Sequence, residues 1–284
     1  MGEIIFHLAL AADWAAARAA GEYRISTRGQ TLEQVGFIHC SRAEQIAGVA
    51  ERFFGGAGPL VRLYIDRDRV RAAVTDDPVP GGERYPHIHG PLNLDAVIAT
   101  SATDPERAAD DGWAASTGEL IVGVTGHRHI ADREQVERAA AAVASVLAGR
   151  AGANGWRVVS ALAEGADRIV ATAALAAGAE LDAVLPLEPD DYRADFPGPD
   201  SRTEFDRLLA LADTVAVTGA WPDGSRERAY ANAGAAMLGR GNVLIALWDG
   251  APPRGIGGTA EVVAAAEAAG IETIVIGVRR SVGA

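Results

Sequence analysis

The chain has 284 residues, 49% of them hydrophobic, with 26 basic and 38 acidic side chains and a formal net charge of -12. Every basic residue is arginine, which excludes a lysine-dependent phosphate loop of the G-x-x-x-x-G-K-[ST] type and all Schiff-base chemistry, pyridoxal phosphate included. The acidic balance argues against nucleic acid as a partner, the single Cys40 can form no internal disulfide, and the absence of a basic leader or an apolar run of about 20 residues predicts a cytoplasmic chain with no membrane partner.

At about 150 residues per domain the length predicts two domains, and a polar, acidic stretch at 102–118 reads as the linker between residues 1–101 and 119–284. The first half opens on an apolar strand at 4–10, and Asp13 is placed to cap a helix that runs to Ala20 and stops at Gly21. A short strand at 36–41 (GFIHCS), a helix at 43–54, a strand at 59–66, a Pro/Gly-rich loop at 76–82, the segment RYPHIHG and a strand near 96–100 follow. Strands and helices do not alternate regularly here, so an α+β domain is expected. Four of the six histidines fall in this half: His7, His39, His87 and His89. Imidazole suits acid–base work near neutral pH, and the H-x-H of 87–89 places two rings on one strand face, which would also suit a metal pair.

The second half alternates. Strands are predicted at 120–124, 157–161, 181–185, 214–217, 242–248 and 273–278, with alanine-rich helices between most of them, for example 133–148, 166–177 and 259–269. That order is the signature of a parallel α/β sheet, whose ligands sit at the carboxyl ends of the strands. After the first strand, Gly123, Thr125, Gly126, His127 and Arg128 form a glycine-containing turn into a helix, where a phosphate would meet free N–H groups and the Arg128 charge. After the second come Ser160, Glu164, Gly165 and Asp167, suited either to capping or to phosphate and ribose contacts. After the third, Asp191, Tyr192 and Asp195 are placed near the same cleft. The segment LIALWDGAPPRGIGGTAEVV brings Asp249, Gly250, Arg254, Gly257, Gly258 and Thr259 to a strand end and a helix start, with Asp249 suited to ribose hydroxyls and Thr259 to capping and phosphate together.

The blocks VGVTGHR, SALAEGADRIVA, LPLEPDDYRADF and IALWDGAPPRGIGGTAEVV together resemble the SLOG superfamily, relatives of LOG-type phosphoribohydrolases and DprA-like proteins. The resemblance spans about 118–278 and implies a Rossmann-like fold that binds nucleotides or their derivatives. It also implies association as a homodimer. LOG enzymes carry PGGxGTxxE, whereas Glu261 here falls one residue early after Gly258-Thr259, and it is the candidate catalytic carboxylate of this domain.

The blocks IFHLA, GEYR, GFIHCSRAEQ and YPHIHGPLNLDAV resemble the domain-of-unknown-function family 952 over about 4–99. That family looks like a distant member of the ADP-ribosyltransferase fold, a split antiparallel sheet with an NAD cleft. The resemblance places His7 at the nicotinamide ribose and the second-strand contact near His39 and Ser41, with Asp76, Asp77 or Glu83 as the late carboxylate. The expected cleft thus comprises His7, Tyr23, Arg24, His39, Ser41, His87 and His89, with His7 and His39 as the catalytic candidates. The expectation is a protein that binds a small nucleotide-type ligand, NAD or ADP-ribose in kind, and requires no cofactor or metal. Cleavage of an N-glycosidic bond and His-based metal-dependent catalysis are the alternatives.

Overall fold

The computed structural model describes residues 2–110, 118–219, 224–252 and 257–281. The chain divides into two compact units, Met1–Ala115 and Ser116–Ala284. Arg254, one of the expected ligand residues, lies outside the described residues. Among those described, no helix is long and apolar enough to cross a membrane.

The first unit contains two three-stranded antiparallel sheets. Strand β1 (Ile4–Leu10) leads into helix α1 (Ala11–Ala20), and the small elements β2 (Glu22–Tyr23), β3 (Ile25–Thr27), β4 (Gln30–Thr31) and α2 (Leu32–Val35) follow. Then come β5 (Ile38–His39), α3 (Ile46–Phe53), β6 (Leu60–Asp66), β7 (Ala73–Pro78), β8 (Arg84–His89), β9 (Leu92–Asn93), β10 (Val97–Thr103) and α4 (Pro105–Asp110). One sheet has the order β1-β6-β10 and the other β5-β8-β7. They meet where Phe6 and Ser41 exchange backbone hydrogen bonds of 2.8 and 2.7 Å. Ile5, Ile38, Leu63, Ile65, Ile88 and Leu92 form the core between the sheets and α1, each less than 1% exposed. This is the α+β architecture expected.

Three local expectations differ. Residues 76–78 are not loop but the end of β7, paired with β8 from Ala73↔His89 to Pro78↔Arg84. β7 is an edge strand with no buried side chain, so it lacks the apolar signal of a strand, and an edge tolerates Pro78. α1 begins at Ala11 with Leu10 at its N-cap, so Asp13 lies inside the first turn and favours the helix by its charge rather than as a cap. The 102–118 stretch is structured at its start, since β10 runs to Thr103 and α4 follows after Asp104.

The second unit is a six-stranded parallel sheet. Its elements are β11 (Leu120–Gly126), α5 (Arg133–Ala151), β12 (Trp156–Ser160), α6 (Ala166–Ala176), β13 (Glu180–Leu185), α7 (Pro189–Arg193), α8 (Pro199–Ala210), β14 (Thr214–Val217), α9 (Arg226–Leu238), β15 (Val243–Trp248), α10 (Thr259–Ala268) and β16 (Glu272–Gly277). The order β16-β15-β11-β12-β13-β14 is parallel throughout. The chain moves outward from β11 in one direction, then returns to β15 on its other side. The carboxyl ends of β11 and β15 therefore flank the topological switch point, where a crevice opens in a sheet of this kind. β11, β12, β13 and β15 are nearly continuous apolar runs, as strands covered by helices on both faces must be.

Candidate functional site

A cavity of about 390 Å³ lies at that switch point. Its lining joins Thr125, Gly126, His127 and Arg128 from the end of β11, Asp167 from α6, Tyr192 from α7, Tyr230 and Met237 from α9, Trp248 from β15, and Gly257, Gly258 and Thr259 from the start of α10. Most of the expected ligand residues are thus gathered here, but the chemistry falls to different members than the glycine pattern suggests.

Arg128 stands exposed at this cavity with its guanidinium carbon 5.0 Å from the centre of the Tyr230 ring. Among the described residues no carboxylate lies within ion-pair distance of it. Tyr230 is itself fixed, donating to Asp195 at 2.6 Å, and Asp195 also pairs with Arg226 at 2.5 Å. A guanidinium seated on an aromatic face, hydrogen-bonded to the Tyr230 hydroxyl and paired with no carboxylate among the described residues, is suited to a planar or tetrahedral anion. Tyr192 is fully buried, and its hydroxyl has no hydrogen-bond partner among the described residues. Asp167 is 7% exposed and accepts from the Ala163 N–H at 3.2 Å; burial pushes its pKa up to about 6, against the opposing pull of that N–H and of Arg128 and Arg168. The cavity therefore offers a cation, an unpartnered hydroxyl and a carboxyl group able to change protonation near neutral pH.

His127 and Asp249 form a fixed pair. His127 Nε2 lies 2.9 Å from Asp249 Oδ1, and Arg280 Nε lies 2.7 Å from Oδ2. Burial works to raise the Asp249 pKa, but Arg280, the Ala251 N–H and His127 outweigh it and hold the carboxyl well below the usual range. Asp249 is thus an anion already satisfied by the protein, and its expected contact with ribose hydroxyls competes with three internal partners.

Several expected ligand residues are structural. A Cβ on Gly126 would lie 2.4 Å from Ala166 Cβ and 2.7 Å from the Leu247 carbonyl, so this glycine lets β11 end against α6 and β15. Gly165 has φ +77°, and a Cβ there would lie 2.2 Å from the Arg128 carbonyl oxygen. Gly123 packs under Met237, whose sulfur lies 3.0 Å from the Val124 nitrogen. Ser160 is fully buried and accepts from the Leu162 N–H at 3.1 Å, closing the turn rather than lining the cavity. Glu164 accepts from the Ser201 hydroxyl. Gly250 supplies a left-handed turn (φ +74°) outside the lining.

Two further expectations on α10 are corrected. The N-cap is Gly258, and Thr259 is the first helical residue, its side chain making no cap. The candidate catalytic Glu261 turns back to accept from the Gly257 N–H at 2.7 Å and does not line the cavity.

Several cavity residues that the sequence does not single out lie on α9. Tyr230, Ala233, Gly234 and Met237 recur at helical spacing and form one wall of the cavity. That spacing was the available signal, diluted by the alanines around it.

The first unit holds its own cavity, of about 380 Å³, lined by His7, Ser26, His39, Ser41, Arg52, Tyr85, His87 and apolar groups including Leu8, Phe54 and Pro80. His7 Nδ1 lies 2.6 Å from the His39 carbonyl, which can only accept, so Nδ1 carries the proton; Nε2, 2.9 Å from the Tyr23 hydroxyl, is then an acceptor. Burial lowers the His7 pKa to about 4, and the ring is neutral at physiological pH. Both nitrogens of this catalytic candidate are thus engaged by the protein. Tyr23 lies behind it, outside the lining. Arg24 is also outside, in exposed ion pairs with Glu22 (2.8 Å) and Glu33 (2.6 Å). The second candidate, His39, sits at an exposed strand edge with Nδ1 3.0 Å from Ser26 Oγ.

Register explains the remaining histidines. His39 pairs with His87 across β5 and β8, and Thr75 pairs with His87 across β7 and β8. His87 and His89 share a face, as the H-x-H spacing predicts, and Asp77 meets both, at 2.8 and 3.4 Å. Phe37 stacks on His87 with ring centres 4.1 Å apart. His89 also bonds Thr75 at 2.8 Å and lies outside the lining. Of the three candidate carboxylates, Asp76 is held by Arg42 (2.6 Å) and Arg67 (3.0 Å), Glu83 accepts from Tyr85 (2.9 Å), and Asp77 is the one that faces an imidazole of the cavity. Among the described residues no group of three or more His, Cys, Asp and Glu side chains is arranged to hold a metal ion.

No curated protein matches the chain. The protein CC0527 from Caulobacter crescentus, known from crystal and solution structures, is 30% identical; in the crystal structures the match covers 36% of this chain and 86% of that one, with a TM-score of 0.33. DNA processing protein A (DprA) from Streptococcus pneumoniae is 20% identical, and its match covers 55% of this chain and 49% of that one, with a TM-score of 0.40. The model of the family described as "Protein of unknown function (DUF952)" matches residues 8–100, within the first unit.

Proposed function

We propose that the second unit binds a small phosphorylated, nucleotide-type ligand in the switch-point cavity. The observation that carries this reading is Arg128, a guanidinium seated on Tyr230 with no carboxylate partner among the described residues, in a chain with net charge -12. A free cation kept at a strand end of an acidic protein is best explained by an anionic ligand. The start of α10 at Gly258 and Thr259 adds N–H groups and the positive end of a ten-residue helix on the same cavity wall. Trp248, Met237 and Val262 supply apolar surface for a base, and Asp167 and the unpartnered Tyr192 hydroxyl supply polar contacts for a sugar or a ring edge. Placement at the switch point agrees with how open parallel sheets use that crevice.

Calorimetric titration of the full chain with AMP, ADP, ADP-ribose and NAD tests the reading. At least one is expected to bind, with affinity falling about tenfold to a hundredfold in Arg128→Ala, the loss of one charge-assisted hydrogen-bonding group. Hydrogen-exchange protection should appear in peptides from β11 and α10. Binding of equal strength in Arg128→Ala, or no binding by any of the four, overturns the proposal.

A further inference from the structure

The cavity of the first unit contains one imidazole that the protein has oriented and left unsatisfied. His87 is 5% exposed; its Nδ1 lies 2.8 Å from Asp77 Oδ2, and its Nε2 has no hydrogen-bond partner among the described residues. A carboxylate at Nδ1 places the proton there, so Nε2 carries the lone pair. Phe37, stacked on the ring, and Thr75, which donates to Asp77 Oδ1 at 2.9 Å, fix the plane of the ring and the carboxylate. A buried acceptor left without a partner costs free energy that a merely structural histidine, such as His7 with both nitrogens bonded, avoids.

From this geometry we infer that the first unit is a second, independent small-molecule site, in which His87 Nε2 accepts the proton of a hydroxyl on a ligand with a ring or apolar body. The apolar body would rest against Leu8, Phe54 and Pro80, and Arg52 stands at the same cavity for an anionic substituent. In the proton transfer the O–H bond breaks with its electron pair kept by oxygen, an Nε2–H bond forms, and the resulting imidazolium is held by the Asp77 carboxylate. His87 is the group that touches the ligand, and Asp77 is a positioning residue.

Two measurements on the full chain test this. The first uses 4-nitrophenol, whose phenolate is yellow, at a mildly acidic pH where the free phenol is colourless. The wild type is expected to develop phenolate absorbance on binding, and His87→Gln, which can keep a hydrogen bond to Asp77, is expected to lose it. Absence of colour in the wild type, or equal colour in His87→Gln, overturns the inference. The second is carbethoxylation by diethyl pyrocarbonate, mapped by peptide mass spectrometry, in which a neutral imidazole nitrogen attacks a carbonyl carbon and ethyl carbonate leaves. His87 is expected to react while His7 stays protected, and Asp77→Asn is expected to slow His87 about tenfold by releasing its tautomer and orientation. Inert His87 in the native chain that reacts only after denaturation, or an unchanged rate in Asp77→Asn with native circular dichroism, refutes the assignment. Because the peptides belong to the first unit, failure here leaves the nucleotide reading of the second untouched.

Discussion

His7 ties the stability of the first unit to pH in a way that can be worked through. Its ring is 4% exposed, and burial lowers its pKa from 6.5 to about 4. The folded state therefore refuses a proton that the unfolded chain accepts as pH falls through 6.5, so stability present at neutral pH is lost progressively down to about 4 and levels off below. At about 1.4 kcal/mol per unit the full effect is roughly 3 kcal/mol, of which about 2 kcal/mol should already be lost at about pH 5 relative to about pH 7.5. The perturbation is His7→Gln, whose amide can donate to the His39 carbonyl and meet the Tyr23 hydroxyl without titrating. Hydrogen exchange read on peptides from β1 and β6, at the two pH values, isolates the opening free energy of this unit from that of the other. The wild type should lose about 2 kcal/mol more than the variant between them. Equal pH slopes in the two proteins would mean that His7 is not the buried neutral ring described, or that the unfolded chain keeps it from titrating.

Gly165→Ala places a Cβ against the Arg128 carbonyl at a left-handed φ, and should destabilise the second unit by on the order of 3 kcal/mol, measured by urea unfolding. Gly250→Ala, also left-handed but with open space around the Cβ position, should cost only about 1 kcal/mol; similar costs for the two would refute the close-approach argument. Asp167 titrates with the opposite sign to His7. Its folded pKa, about 6, lies above the ordinary 3.8 of an aspartate, so the folded state is penalised for holding it charged, and Asp167→Asn should stabilise the unit above about pH 6, with the advantage vanishing below about pH 4. An advantage that is independent of pH would show that packing, not ionisation, is responsible.

Much of the architecture could be read from the chain because hydrophobic periodicity and strand burial report the same physics. The six parallel strands and the switch-point residues around Gly126 and Thr259 follow from apolar runs bounded by turns. What periodicity could not reveal was why each glycine is there. Gly126 and Gly165 look identical to a phosphate-cradling pair in one dimension, yet their missing side chains are accounted for by Ala166, Leu247 and the Arg128 carbonyl, contacts made only by folding. Histidine roles were hidden for the same reason. His7 and His87 are equally plausible acid–base residues in sequence, and only the carbonyl of His39 and the carboxylate of Asp77 distinguish a ring with two partners from a ring with one. Strand β7 escaped notice because an exposed edge carries no apolar stripe, and its loss from the reading concealed the placement of Asp77 beside His87.

The seating of Arg128 on Tyr230 has a consequence for how specificity could drift in this protein. A free arginine side chain surrenders about 2 kcal/mol of rotamer freedom when a ligand immobilises it. Here a ring anchored through Asp195 has already restricted that motion before any anion arrives. Affinity is therefore partly stored in Asp195, a residue outside the cavity lining. A change at Asp195 would weaken binding by loosening Tyr230 and, through it, Arg128, while leaving the cavity lining unchanged. Selection could thus tune the strength of binding at Asp195, just beyond α7, separately from the choice of ligand.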